Sequence, residues 1–401
     1  MAPLQQLVVC FKPRTKRSSC LKMHKEMKAK LVKEMKEIGM HVVRVPNNEA
    51  SSCLTKYASS PSVRFVEEDQ FIQVEPISTS SDLASINNNT STTTNDPLLQ
   101  KQWGLENVNA QEAWELANVS PISSTIAILD TGVSRHHEDL RGKVIHQAIF
   151  SNSSTVDDVH GHGTHVAGIA AAITNNGNGI AGISYNSAGI MNIKVMGDTG
   201  GGTMSNVAEG IIYATNQGAD VINLSLGSTM ISETLRSAVN YAHNNGVLLV
   251  GAAGNNATNM EHYPAAYNQV LAVAATNETN ELTSFSNYGT WVEIAAPGQE
   301  IVSTYINEES GNSLSEYSAA SGTSQAAPFI SGLAALIKST TPTLNNREMR
   351  VILQRAANQS VSGGPIRFGR IDARRAIQLA LNIANNNPQQ RTNIPGLWLN
   401  L

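Results

Sequence analysis

Cysteine is scarce: Cys10, Cys20 and Cys53 are the only three in 401 residues, too few for a disulfide-stapled scaffold. No apolar run approaches the ~18 residues that a membrane-spanning helix needs, so no membrane partner is expected. Surplus positive charge is missing too. The chain has 28 Lys and Arg against 32 Asp and Glu, a net charge of -4, and so lacks the basic footprint of a nucleic-acid binder. With 41% hydrophobic and 15% charged residues it is no disordered tail. Its length allows one large domain and a small one, and its function must come from a site.

The net charge hides a split. Residues 1–75 carry 13 basic and 8 acidic residues, and the remainder 15 basic and 24 acidic, so the segments stand at +5 and -9 and should attract each other. A lysine-rich solvated face is the plainer reading of the first segment. An odd number of cysteines outside any disulfide pattern favours a reducing compartment. The opening MAPLQQLVVCFKPRTKR puts its basic residues after a short apolar run, the reverse of a signal peptide. A cytoplasmic protein is expected, or a secreted one whose leader has been removed.

Residues 4–11 (LQQLVVCF) read as a strand, and Leu21, Met27, Leu31, Met35 and Ile38 fall at helical spacing over 21–38. HVVRV (41–45) reads as a strand, CLTKYA (53–58) as a short helix, and SVRFVEED and FIQV as closing strands. The sum is a small α+β unit of the ferredoxin-like β-α-β-β-α-β type over 1–75. It resembles a folding and inhibitory prodomain. Residues 76–95 are a polar, low-complexity stretch that reads as a flexible linker open to processing.

From 96 to 382 apolar runs alternate with helical segments. TIAILD (125–130), GIMNIKV (189–195), DVINLSL (220–226), VLLVGAA (247–253) and VLAVAAT (270–276) suit strands buried on both faces. MSNVAEGIIYATNQG and SETLRSAVNYAHNNG lie between them as helices ending in Gly. The class is α/β, a doubly wound, mostly parallel sheet with helices on both faces. Ligands of such sheets bind beyond the carboxyl ends of the strands. Residues 383–401 lose all pattern and read as a tail.

Chemistry-bearing residues collect where that cleft should be. Asp130 closes the strand TIAILD, in a place where Asp also commonly caps a turn. His162 opens the small-residue helix of HGHGTHVAGIAAAI, and His165, three residues on, reads as structural. Ser324 stands at the start of the helix in SGTSQAAPFISGLAALIK, where it is either an N-cap or a group aided by the helix dipole. Asn255, beyond the strand VLLVGAA, is a turn residue or an oxyanion donor.

Together, ILDTGV, HGTHVAG, NLSLG, AAGN and GTSQAAP, in that order over about 96–380, resemble the subtilisin-like serine proteases. NDP near 95, TNNGNGIAG at 174 and SNYG at 286 are similar to segments of the thermitase-like branch. The resemblance implies that Ser324 is the nucleophile, His162 the general base, Asp130 its orienting partner and Asn255 an oxyanion donor. Polypeptide substrates would add a strand between Gly200, Gly201 and Gly202 on one side and Ser225, Leu226 and Gly227 on the other. The P1 pocket among Leu226, Ala252, Ala253 and Gly254 implies apolar or aromatic P1 residues, with His262 making its floor more polar. A structural calcium ion is implied at Asp96, Asp139 and Asn176 with the carbonyls of Ile173, Asn178 and Ile180. A second, carboxylate-rich calcium site is not implied, since Ser151 and Asn152 replace its acidic ligands. Gln325 stands where the family carries Met, and Phe329 where it carries His. The prodomain would inhibit in cis and be removed by self-processing, leaving a monomer.

Three other readings compete. HGHGTH resembles the HxHxDH of zinc hydrolases, but Thr164 takes the aspartate position. The DTG strings at Asp130 and Asp198 are similar to the paired aspartates of pepsin-like enzymes, although the second lies in a glycine loop. The third is an inactive relative acting as a binding or inhibitor module.

Overall fold

The structure, a computed structural model, describes residues 4–74, 78–80, 83, 94–117, 119–306 and 315–385. The first segment forms β1 (Leu4–Phe11), α1 (Arg17–Glu26), β2 (Lys30–Met35), β3 (Met40–Pro46), α2 (Ala50–Ala58) and β4 (Val63–Glu68). Its strands pair antiparallel in the order β2-β3-β1-β4. The β-α-β-β-α-β pattern is present, but its parts differ from expectation. The helix read over 21–38 ends at Glu26, where Lys28 turns the chain with a φ of 53°, and Leu31 and Met35 lie on β2. Met27, Leu31 and Met35 recur every four residues, a spacing that satisfies the period of two of a strand as well as a helical face.

FIQV does not close this sheet. It forms β5 (Phe71–Gln73), which leaves the sheet and pairs elsewhere. Part of the expected linker is also ordered, as β6 (Ser78–Ser80). The rest of 76–95 up to residue 93, apart from Leu83, lies outside the described residues, as does the tail from 386.

The large unit continues with α3 (Trp103–Asn107), α4 (Ala110–Leu116), β7 (Ser124–Asp130), β8 (Val144–Ile149), α5 (His162–Ala171), β9 (Ala188–Lys194), β10 (Gly201–Thr203) and α6 (Met204–Asn216). Then come β11 (Val221–Leu224), α7 (Glu233–Asn244), β12 (Leu248–Ala252), β13 (Val270–Thr276), β14 (Ile294–Pro297), β15 (Ile301–Tyr305) and β16 (Glu316–Ser321). The chain closes with α8 (Thr323–Thr340), α9 (Asn346–Ala356) and α10 (Ala373–Asn385), the last running past the expected end at 382.

Seven strands form one sheet in the order β14-β13-β12-β11-β7-β9-β8, parallel throughout. Alternate residues of β7 serve opposite layers. Ile126 and Ile128 pack with α5, α8, α9 and α10, and Ala127 and Leu129 with α6 and α7. The strand order turns around between β7 and β11, so the crevice opens beyond the carboxyl ends of these central strands.

Candidate active site

Asp130 is the last residue of β7 and His162 the first of α5. Both side chains are fully buried, and His162 Nδ1 stands 2.7 Å from Asp130 Oδ1, which also accepts the Thr131 amide at 2.8 Å. Gly163 makes this approach possible: a Cβ there would stand 2.1 Å from the Gly132 carbonyl oxygen. The loop before His162 is folded around Asp158, whose carboxylate accepts from Thr131 Oγ1, the His160, Gly161 and Thr164 amides and Thr164 Oγ1, at 2.7–3.0 Å. Nothing local in the sequence marks Asp158.

Ser324 is the second residue of α8. Pro328, four residues on, has no N–H to give the Ser324 carbonyl, which instead accepts from Ser225 Oγ at 2.9 Å. In return Ser324 Oγ donates to the Ser225 carbonyl at 3.2 Å, so in this state the hydroxyl rests on the cleft edge. Asn255, past the end of β12, has Oδ1 fixed by the Thr323 amide and Thr323 Oγ1, both at 2.9 Å. Its Nδ2 end is thereby presented near Gly322, 3.2 Å from where a Cβ there would stand. Thr323 is an orienting residue that the sequence did not reveal.

The cleft is filled by the chain's own residues. β5 pairs antiparallel with β10 in the register Gly201↔Gln73 and Gly202↔Ile72. The Val74 amide donates to the Gly200 carbonyl at 2.9 Å, and Gln73 bridges to Gly227 on the other side. The two segments read as substrate edges thus hold a strand between them. Beyond it, β6 pairs with β16, Ser78 opposite Ser321, three residues before the candidate nucleophile. Leu226, Ala252 and Ala253 are buried beside Gly254, with the His262 ring against Gly227 and Gly254. The first segment is further tied down by two carboxylates. Glu67 accepts from Ser232 Oγ and the Glu233 and Thr234 amides at the start of α7, and Asp69 from the Ser205 amide and hydroxyl at the start of α6.

Asp96 and Asp139 are buried, with no ion pair to either among the described residues. Burial, with a smaller push from Asp96, lifts the Asp139 carboxyl to about 6. The loop from Ile173 to Ile180 wraps them: Asp96 accepts the Asn175 and Asn176 amides, and Asp139 accepts Asn176 Nδ2 and the Ile180 amide. Two buried carboxylates held by uncharged N–H and O–H donors, with no cationic side chain paired to either among the described residues, suit a hard cation.

The rival constellations do not assemble. His162 is engaged by Asp130 and His165 Nε2 bonds the Ser318 carbonyl, and no group of three His, Cys, Asp or Glu among the described residues could hold a metal ion, which removes the zinc reading. Asp198 pairs with Lys194 at 2.7 Å, so it forms no dyad with Asp130. Phe329 is buried, its ring 2.7 Å from a Cβ position on Gly104, a packing contact away from the chemistry.

Residues 123–378 match the model of the subtilase family and residues 4–69 that of the fervidolysin N-terminal prodomain. The chain is 44% identical over 292 residues, 72% of this chain and 70% of the relative, to a thermophilic serine proteinase of Bacillus sp. strain AK1. It is 43% identical over 289 residues, 71% of this chain and 99% of the relative, to thermitase of Thermoactinomyces vulgaris. The crystal structure of fervidolysin from Fervidobacterium pennivorans, a keratinolytic enzyme related to subtilisin, superposes with a TM-score of 0.80 at 28% identity, covering 94% of this chain and 61% of that one. On this match of sequence, fold and prodomain, the chain belongs to the subtilase family and is a subtilisin-like serine endopeptidase with an intramolecular prodomain.

Proposed function

We propose that Ser324, His162 and Asp130 are the catalytic triad and that the chain is a self-processed proenzyme. The observation that carries this is the buried 2.7 Å pair of Asp130 and His162 at the same end of the sheet as Ser324 and Asn255. A serine hydroxyl attacks at neutral pH only if a base takes its proton. Ser324 Oγ turns from the Ser225 carbonyl to His162, gives it the proton and bonds the substrate carbonyl carbon. The Asp130 carboxylate holds the imidazole in the needed tautomer and stabilises the imidazolium. Asn255 Nδ2 and the Ser324 amide receive the oxyanion. His162 then protonates the leaving amine, and water, deprotonated by the same imidazole, hydrolyses the acyl-enzyme. The turn of Ser324 also frees the Ser225 carbonyl for the main chain of a substrate.

The strand β5 in the cleft supports inhibition in cis, and its removal by cleavage within residues 76–95 would open the site. The pocket walls of Leu226, Ala252 and Ala253 support apolar stems at P1. A calcium ion at Asp96, Asp139 and Asn176, with the carbonyls of Ile173, Asn178 and Ile180, would offset the two buried carboxylates and fix the loop under α5.

Intact mass over time for wild type and Ser324→Ala, each with calcium and with chelator, tests the whole reading. Loss of a fragment of about 75–95 residues in wild type alone is expected, and cleavage of both proteins alike would remove Ser324 from its role. Should both stay whole and neither hydrolyse casein, the inactive-relative reading takes over. Calcium should raise the melting temperature, by about 2.7 kcal/mol of stability at a hundredfold excess over Kd. An unchanged melting temperature would reject the site.

A further inference from the structure

We propose that His262 makes the P1 subsite select side chains with an apolar stem and a hydrogen-bonding tip, tyrosine and glutamine over their counterparts phenylalanine and methionine. This rests on the protease reading above and adds the substrate class to it. The imidazole is wedged between the two segments that line the pocket. Its Nε2 lies 2.1 Å from where a Cβ on Gly227 would stand, and its Cγ 3.1 Å from that position on Gly254, so only two glycines admit it. Gly227 is the residue to which Gln73 bridges, which puts the ring beside a strand bound in the cleft.

His262 is 4% exposed, and its Nδ1 is buried with no hydrogen-bond partner among the described residues. Structural histidines in this protein are anchored: His137 and His165 each bond a main-chain carbonyl through Nε2, at 2.8 and 3.1 Å. Among the described residues no such bond holds His262. A buried polar group left unpaired is costly, and a ligand that pairs it recovers that loss. Burial alone lowers its basicity, to about 4, with no charged neighbour contributing. At neutral pH the ring is therefore an uncharged donor and acceptor, matched to a phenol hydroxyl or a carboxamide. Leu226 and Ala253 adjoin these two glycines in the chain and, with Ala252, are buried and apolar, the walls that the protease reading gives the stem.

The test is kcat/KM of the processed enzyme on peptides that differ only at P1, Tyr against Phe and Gln against Met. Wild type should favour the polar tip by about tenfold in each pair, the size of one hydrogen bond to a buried group. His262→Leu should bring both ratios to one or below, and His262→Asn, which keeps a donor and an acceptor, should retain part of the preference. Wild-type ratios at or below one, or ratios unchanged in both variants, would overturn the proposal. No turnover of any of the four peptides sinks the protease reading and this inference together, whereas equal turnover of all four sinks the inference alone.

Discussion

The seven-stranded sheet and the four-stranded sheet of this molecule bury their faces in different ways. The parallel sheet is covered on one side by α5, α8, α9 and α10 and on the other by α6 and α7, all from its own domain. The prodomain sheet turns Leu7, Val9 and Val43 toward α1 and α2, but Val8, Cys10, Met35, Met40 and Val42 join the cluster that contains α6 and α7 of the enzyme. The prodomain is thus a domain with one layer missing, and the enzyme supplies that layer. The docked sheet therefore covers apolar surface of α6 and α7 that would otherwise face water.

Separating the two units should show the largest effect. Residues 1–75 alone, with that apolar face in water, should lack a cooperative thermal transition by circular dichroism and regain it on addition of processed enzyme whose Ser324 has been blocked by a serine-directed reagent. A sharp transition in isolation would break the comparison. Next in size are the polar clamps. Charge-assisted hydrogen bonds contribute roughly 1.5–3 kcal/mol, so Glu67→Gln and Asp69→Asn should each weaken inhibition by added prodomain about 10- to 100-fold, Glu67→Gln more because that carboxylate takes three donors. Unchanged inhibition constants would mean that the apolar face alone holds the complex.

Acid should loosen the prodomain by a smaller amount. His24 bonds Tyr57 through Nδ1 at 2.7 Å and His41 through Nε2 at 2.9 Å, deep in its core. Burial, then the neighbouring His41, lowers His24 to about 4; burial likewise lowers His41, with the Glu34 carboxylate opposing and Arg17 adding to the shift. The unfolded segment takes up both protons from about pH 6.5 downward, and folding defers both, that of His24 to about 4. Stability is therefore full above about 6.5 and falls between there and about 4. The lag before activity should be shorter at pH 5.5 than at 7.5, and the difference should shrink in a His24→Leu, His41→Leu variant. The smallest change is expected under peroxide, because Gln325 beside the nucleophile offers no sulfur. The processed enzyme should keep its activity at millimolar peroxide, while the released prodomain gains oxygen at Met35 and Met40 by mass.

The central strands and helices were legible in the sequence because each is a long apolar run or a clear amphipathic period. The two edge strands β8 and β14 were not. Val144–Ile149 has half-exposed faces, and Ile294–Pro297 is short and ends in proline. The proposed catalytic residues stand in motifs visible in the sequence, but the residues that position them do not. Thr323 and Asp158 act through partners brought near by the fold, Asn255 lying 68 residues away, and no local pattern encodes such a relation. FIQV looked like a closing strand because a strand is what it is, and its partner across the cleft is invisible to periodicity.

The hydrogen-bonded clips on either side of residues 75–77 have a temporal meaning. β5 is zipped to β10 before them and β6 to β16 after them. Breaking a peptide bond between these clips leaves both new ends fastened, since neither ladder depends on the severed bond. In the self-processing proposed above, hydrolysis and the appearance of activity would then be separate events, and the interval between them would belong to the unzipping of two short ladders, not to the speed of the proposed triad.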